Sequence, residues 1–188
     1  MRRKKKGSFI ALIVVAVLLI VGMPHLKSGA DFVAKLVYPR HFQKMVETYA
    51  ARYELPESLI YAVIHTESHF DPQAVSKAQA KGLMQLTDNT CDWARSLLGE
   101  TDGDVFDPET NVRYGTKILS VLCGEFSEIK TALAAYNAGI GNVRKWLKNT
   151  EYSTDGTTLH TIPFQETREY VVRVQKAQKR YQTLYDIP

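Results

Sequence analysis

Phe42, Met45, Val46, Tyr49, Ala50 and Tyr53 recur at spacings of three and four, which puts them on one face of an amphipathic helix. Leu59, Ile60, Val63 and Ile64 make the stripe of a second helix, whose first turn suits Pro56 and which runs toward Glu67. Asp71-Pro72 then breaks the pattern, because a residue before proline is pushed out of helical geometry. Residues 88–98 read as helix, closed by Gly99. Asp107-Pro108 pairs an N-cap acid with proline at the first helical position, and Val112, Ile118, Leu119 and Leu122 form the apolar face behind it. Residues 131–138 make a small-residue helix ended by Gly139, residues 142–147 a short one, and residues 165–184 a long final one. Residues 150–160 are polar and irregular. Val, Ile and Thr never alternate over a strand's length, so the fold class is mainly α with little or no sheet.

The first residues follow a different pattern. Arg2, Arg3, Lys4, Lys5 and Lys6 precede an unbroken apolar run, Phe9–Met23. Its 15 residues are short for a full span, which takes about 20. They sit at the upper end for a signal-peptide core, which runs to about 15. Ser28-Gly29-Ala30 offers small residues for a cleavage site, but His25 and Lys27 are unusual neighbours for one. The balance favours an uncleaved N-terminal hydrophobic helix, a membrane anchor over residues 1–23, with a secreted form after signal cleavage as the alternative. In both cases the basic block stays cytoplasmic and the bulk of the chain lies outside. Residues 24–40, with Pro24, Gly29 and Pro39 and little periodicity, read as a stalk. Residues 41–188 then form one domain, with no internal repeat.

Charge divides the same way. Of 24 Lys and Arg, six fall in residues 1–30, where there is no acid. The remaining 18 face 20 Asp and Glu, so the domain is mildly acidic and the high isoelectric point belongs to the anchor. That excludes a nucleic-acid partner, which requires a basic face on the folded part. Cys91 and Cys123 could pair outside the cytoplasm, but spacing does not fix geometry, and two buried thiols is the favoured reading.

Glu67 is the residue with the clearest chemical promise. A glutamate at a helix end beside a loop can project into a cleft, where an apolar setting keeps it protonated near neutral pH and able to give a proton to a leaving oxygen. His65 and His69 share the i, i+4 spacing of a zinc-binding helix. Glu67, however, lies roughly 200° round the helix from His65, and no third ligand is evident, so no metal or cofactor is expected. Gln85, in Gly82-Leu83-Met84-Gln85, can donate to and accept from sugar hydroxyls and acetamido groups. Each of these fragments, and Ala135-Tyr136-Asn137-Ala138-Gly139, has a plain structural reading as a turn or helix end.

Together and in order they carry more. Glu67-Ser68 with Phe70, Pro72 and Ala74 comes first, then Gly82-Leu83-Met84-Gln85, then Asp107-Pro108 with Asn111 and Gly115. Ala134-Ala135-Tyr136-Asn137-Ala138-Gly139 follows, and last Ile162-Pro163-Phe164 with Glu166-Thr167-Arg168 and Tyr170-Val171. This series, spanning about Tyr38 to Tyr185, resembles the catalytic domain of the soluble-type lytic transglycosylases, relatives of goose-type lysozyme. The short chain with its hydrophobic start resembles the membrane-anchored members. Two departures stand out: Gln79 where the family usually has Gly, and Thr87-Asp88-Asn89-Thr90 where many members have a Met-Pro-Ala-Thr-like run.

The resemblance implies a lysozyme-like fold and peptidoglycan glycan strands as substrate. It implies cleavage of the β-1,4 bond between N-acetylmuramic acid and N-acetylglucosamine, leaving a 1,6-anhydromuramyl end. It implies Glu67 as acid and then base. Ser68 is implied to bind substrate or set the surroundings of Glu67, with Met84 and Gln85 lining the sugar site. Tyr136 and Asn137 are implied to bind sugar, and Tyr170 to direct its hydroxyl at Glu67. Glu166 and Arg168 rank lower, as residues that touch substrate or hold the last helix by ion pairing. Two other readings stay open. One is a muramidase using water, with Asp71, Asp88 or Glu166 as second acid; the other is a non-catalytic wall-binding scaffold, with cell-wall machinery as unknown partners.

Overall fold

The structure, a computed structural model, describes residues 29–188. The apolar run Phe9–Met23 lies outside those residues. Among the described residues no helix is long and apolar enough to cross a membrane. The chain divides into two compact units, one ending at Pro39 and the other spanning Arg40–Pro188. In the first, residues 29–37 are helical, although their sequence shows little periodicity.

The second unit holds seven helices: α1 (Gln43–Tyr53), α2 (Glu57–Ser68), α3 (Asp88–Leu98), α4 (Pro108–Glu125), α5 (Ile129–Ala138), α6 (Ile140–Leu147) and α7 (Gln165–Tyr185). It is mainly helical and has no sheet among the described residues. Two isolated antiparallel bridges, Val75 with Lys81 and Lys81 with Leu86, fold the loop between α2 and α3.

Two helices organise the core. In α2 every residue from Ser58 to Ile64 is buried, as a helix apolar on all sides must be. Burying its Leu59, Ile60, Val63 and Ile64 side chains contributes roughly 1.5–3 kcal/mol each. Its most extensive partner is α7. Tyr61 of α2 stacks on Tyr181 of α7 with ring centroids 5.2 Å apart, and the Arg40 guanidinium lies over the rings of Tyr61 and Tyr185. The other organiser, α4, packs against α1, α3 and α5. Its N-terminus is set by Asp107, whose carboxylate accepts from the Thr110 backbone N–H at 2.9 Å and the Thr110 hydroxyl at 2.8 Å. Pro56 sits one residue earlier than its sequence suggests, at the N-cap of α2 rather than within its first turn.

The break after α2 comes before Asp71-Pro72. His69 caps the helix in the left-handed region (φ 52°), and Phe70 follows it there (φ 67°). Each such non-glycine residue costs about 1–2 kcal/mol. Offsetting this, Phe70 is buried beside Tyr61 and His41. The two-residue reversal leaves Glu67 in the last turn of α2, next to the loop that forms a wall of the site.

Candidate active site

One cavity of about 500 Å³ is walled by residues of six helices, α2 to α7, and by the loop before α3. Glu67 enters from α2, Trp93 from α3, Ile118 and Leu122 from α4, and Tyr136 and Asn137 from α5; Glu166 comes from α7 and Gln85 from the loop. The structure therefore brings Glu67, Gln85, Tyr136, Asn137 and Glu166 to one place, although they lie up to 99 positions apart in sequence.

Glu67 is partly buried in that wall, and burial pushes its carboxyl from 4.5 up to about 7. The Tyr170 hydroxyl and the Arg173 guanidinium pull it back down, and the Glu166 carboxylate pushes it further up. The last turn of α2 adds its own contribution, since the negative end of a helix dipole disfavours a carboxylate. The result is an acid poised near neutral pH, able both to give its proton and to take one back.

Tyr170 is buried, and its hydroxyl faces Glu67 without a partner of full hydrogen-bond geometry. Burial raises the phenols of Tyr170 and Tyr136 well above the usual value, so both remain neutral donors. Glu166, Tyr170 and Arg173 fall at i, i+4 and i+7 and so share one face of α7, where alternate charges flank a neutral donor.

The turn Gly82–Gln85 is held by side chains from three helices. Ser68 of α2 donates its hydroxyl to Leu83 O at 2.8 Å, and Tyr136 of α5 donates to Met84 O at 2.9 Å. Asn111 of α4 accepts from Met84 N at 2.8 Å and donates to Lys81 O and Val105 O. Gly82 (φ 74°) has to be glycine, because a Cβ there would lie 2.2 Å from Asn111 Nδ2. Met84 is fully buried, its thioether packed on Gly115, and its side chain is not part of the cavity wall. Ser68 is not part of that wall either. Both residues build the turn that presents Gln85.

Gln85 and Asn137 keep half of each amide available. The Gln85 amide nitrogen donates to Ala74 O and Gly82 O. Both partners are carbonyls, so the orientation is fixed and the Gln85 oxygen is left as an acceptor on the cavity wall. Asn137 is the complement: its oxygen accepts from the Thr167 hydroxyl at 2.8 Å, which leaves its NH₂ as a donor. Arg168 makes no ion pair among the described residues. It donates from Nη1 to Ile162 O (2.7 Å) and Pro163 O (2.8 Å), fixing the entry to α7 through backbone carbonyls.

Of the other acids weighed, Asp71 accepts from Gln73 N in a local turn, and Asp88 pairs with Lys81 at 2.7 Å. Neither lines the cavity, and Glu166 does. Among the described residues no group of three or more His, Cys, Asp or Glu side chains could hold a metal ion. Cys91 and Cys123 are free thiols, burial pushing Cys123 up to about 11. Gln79 adopts the left-handed conformation (φ 60°), so the loop keeps a glycine-like backbone at that departure and carries its strain, about 1–2 kcal/mol. Sequence reasoning missed Asn89 and Trp93 on the cavity wall and Arg173 beside Glu67. For Trp93 a signal was present: it falls beside the buried Cys91–Ala94 stripe of α3, not in it.

Residues 44–158 match the family model of the transglycosylase SLT domain. The chain is 34% identical over 143 residues to the soluble lytic murein transglycosylase of Escherichia coli (strain K12), covering 73% of this chain and 22% of that protein. It is 33% identical over 185 residues to membrane-bound lytic murein transglycosylase C of Yersinia pestis (strain Pestoides F), covering 80% and 51%. Among solved structures, the 70 kDa soluble lytic transglycosylase of Escherichia coli superposes with a TM-score of 0.70 at 29% identity, over 80% of this chain and 25% of that one. An inactive Glu-to-Gln mutant of the lytic transglycosylase Slt from Pseudomonas aeruginosa gives 0.67 at 34% identity, over 78% and 25%. The chain thus spans between about a fifth and a half of the length of these relatives.

Proposed function

The chain belongs to the transglycosylase SLT family, and on that premise we propose that it is a peptidoglycan lytic transglycosylase with Glu67 as its single acid–base residue. The observation that carries this reading is the Glu67 carboxyl, raised to about 7 on the wall of the cavity. Protonated Glu67 gives its proton to the oxygen of the β-1,4 bond after N-acetylmuramic acid. The C1–O bond breaks and N-acetylglucosamine leaves with its 4-hydroxyl restored. The Glu67 carboxylate then takes the proton of the muramyl 6-hydroxyl as O6 bonds to C1, giving a 1,6-anhydromuramyl end and restoring the acid. Because the nucleophile belongs to the substrate, proximity supplies what a second carboxylate supplies in hydrolases.

Gln85 O and Asn137 NH₂ suit the two halves of a sugar acetamido or hydroxyl pair, and Tyr136 packs beside them. Ser68 and Met84 act through the turn they hold, and Tyr170 through Glu67.

A hydrolytic reading has one observation in its favour, Glu166 on the same wall. There it would activate water on the far side of C1. Mass spectrometry of muropeptides from purified peptidoglycan separates the two. Transglycosylation conserves mass across the cut and Glu166→Gln retains most activity; products heavier by one water, abolished in Glu166→Gln, would establish the hydrolase.

The tether is inferred from the basic block and the apolar run before Met23, and one relative is named membrane-bound. The domain then works on the cell-wall side of the membrane. A mature protein that keeps its N-terminal segment in membrane fractions is expected; a mature N-terminus beyond Ala30 in the medium would establish the secreted form instead.

A further inference from the structure

The cavity has more wall than one acid and two amides require. On the α3 side it is lined by Asn89, Thr90 and Trp93. Cys91 and Ala94 are buried in the core, which fixes the helix's rotation and turns the face carrying Asn89 and Trp93 to the cavity. These two lie at i and i+4, so their side chains are neighbours on that face.

Their neighbours are already engaged. The hydroxyls of Thr87 and Thr90 bond each other at 2.9 Å, and Thr87 also caps α3 through Thr90 N. Asp88 pairs with Lys81. Asn89 lines the cavity, is exposed and makes no side-chain hydrogen bond among the described residues, so its amide is available to a ligand. Trp93 is half-buried and brings an apolar plane with one N–H donor.

We propose that Asn89 and Trp93 form a second sugar-recognition element in this cavity, selective for an N-acetylated hexosamine of the glycan strand. The indole takes the C–H face of the pyranose ring. The Asn89 amide matches an acetamido group, donating to its carbonyl and accepting from its N–H. Plain glucose offers no such complement. The element rests on the peptidoglycan reading above, and it makes the stretch Thr87–Thr90 the place where this chain sets its own preference. Both groups sit on a rigid helix, so little ordering opposes binding.

The test uses the full chain carrying Glu67→Gln, which binds without cutting, titrated with chitotetraose and with cellotetraose by calorimetry. Chitotetraose is expected to bind and cellotetraose not. Trp93→Ala is expected to weaken binding about tenfold, Trp93→Phe less, and Asn89→Ala several-fold with a reduced preference for chitotetraose. In the active enzyme, Trp93→Phe and Asn89→Ala raise KM on peptidoglycan and leave kcat and its pH limb in place. Trp93→Phe keeps the ring and guards against a mere folding defect. No binding of chitotetraose to the parent, or unchanged affinity and KM in Trp93→Phe and Asn89→Ala, overturns the proposal. Anhydro products from the active enzyme in that same case leave the proposed reaction standing, so the two fail separately.

Discussion

Glu67→Gln is expected to lower peptidoglycan cleavage by at least about a hundredfold, and up to about ten-thousandfold, the range a positioned general acid supplies. It is also expected to stabilise the protein at alkaline pH. The native carboxyl has its pKa raised from 4.5 to about 7, so the folded state holds this proton more tightly than the unfolded chain. Stability from that proton is complete below about pH 4.5 and is lost as pH rises through about 7. Glutamine is neutral throughout. The variant and the parent should therefore have equal stability near pH 4, and the variant should gain on the order of 3 kcal/mol by pH 8. In the parent, kcat/KM should fall tenfold per pH unit above about 7, since only protonated Glu67 can start the proposed reaction. Urea unfolding at both pH values, with cleavage rates, measures all three. Equal stability at pH 4 and pH 8 would mean a solvated Glu67, and the acid would have to be sought elsewhere. Function here conflicts with stability, because the burial that keeps the acid protonated destabilises the folded protein at the pH where the acid ionises.

The helices were largely legible because their signals are local. Asp107-Pro108, Gly99, Gly139 and the stripe from Leu59 to Ile64 act within a turn or two, and α3, α4 and α2 lie where those residues place them. Glu67 was legible as an acid at a helix end, but its raised pKa comes from tertiary burial, with Tyr170 and Arg173 pulling it down and Glu166 pushing it up from about a hundred residues away. Motif membership names residues without saying how they act. Met84 and Ser68 belong to the motifs, yet the first is fully buried and the second bonds a carbonyl, so both shape the Gly82–Gln85 turn from behind. The end of α2 was harder to place. Asp71-Pro72 is the visible breaker, but the helix stops at Ser68 because His69 and Phe70 adopt left-handed conformations that tertiary packing of Phe70 sustains.

Asn111→Ala should be the most damaging substitution outside the cavity, destabilising the domain by about 3–5 kcal/mol. Asn111 is fully buried on α4, and its amide satisfies Met84 N, Lys81 O and Val105 O at 2.8–3.0 Å. Alanine leaves Met84 N and Val105 O without a partner, while Lys81 O still accepts from Leu86 N, and each buried group left unmade costs about 1–3 kcal/mol. The loss reaches the chemistry through the turn, because Gln85 is presented by the backbone that Asn111 fixes. KM should rise, while the pH limb near 7 stays, since the surroundings of Glu67 come from α2 and α7. The same geometry predicts a coupling. Gly82→Ala alone drives a Cβ to 2.2 Å from Asn111 Nδ2 and to 2.9 Å from Val105 O, at a φ of 74°. Removing the Asn111 side chain relieves the first clash but not the other two strains. The double variant should thus be less destabilised than the sum of the single ones, by at least about 1 kcal/mol. Urea midpoints for the four proteins of that cycle test it. Strict additivity would show that Gly82 is held by its own backbone geometry and not by the asparagine amide packed against it.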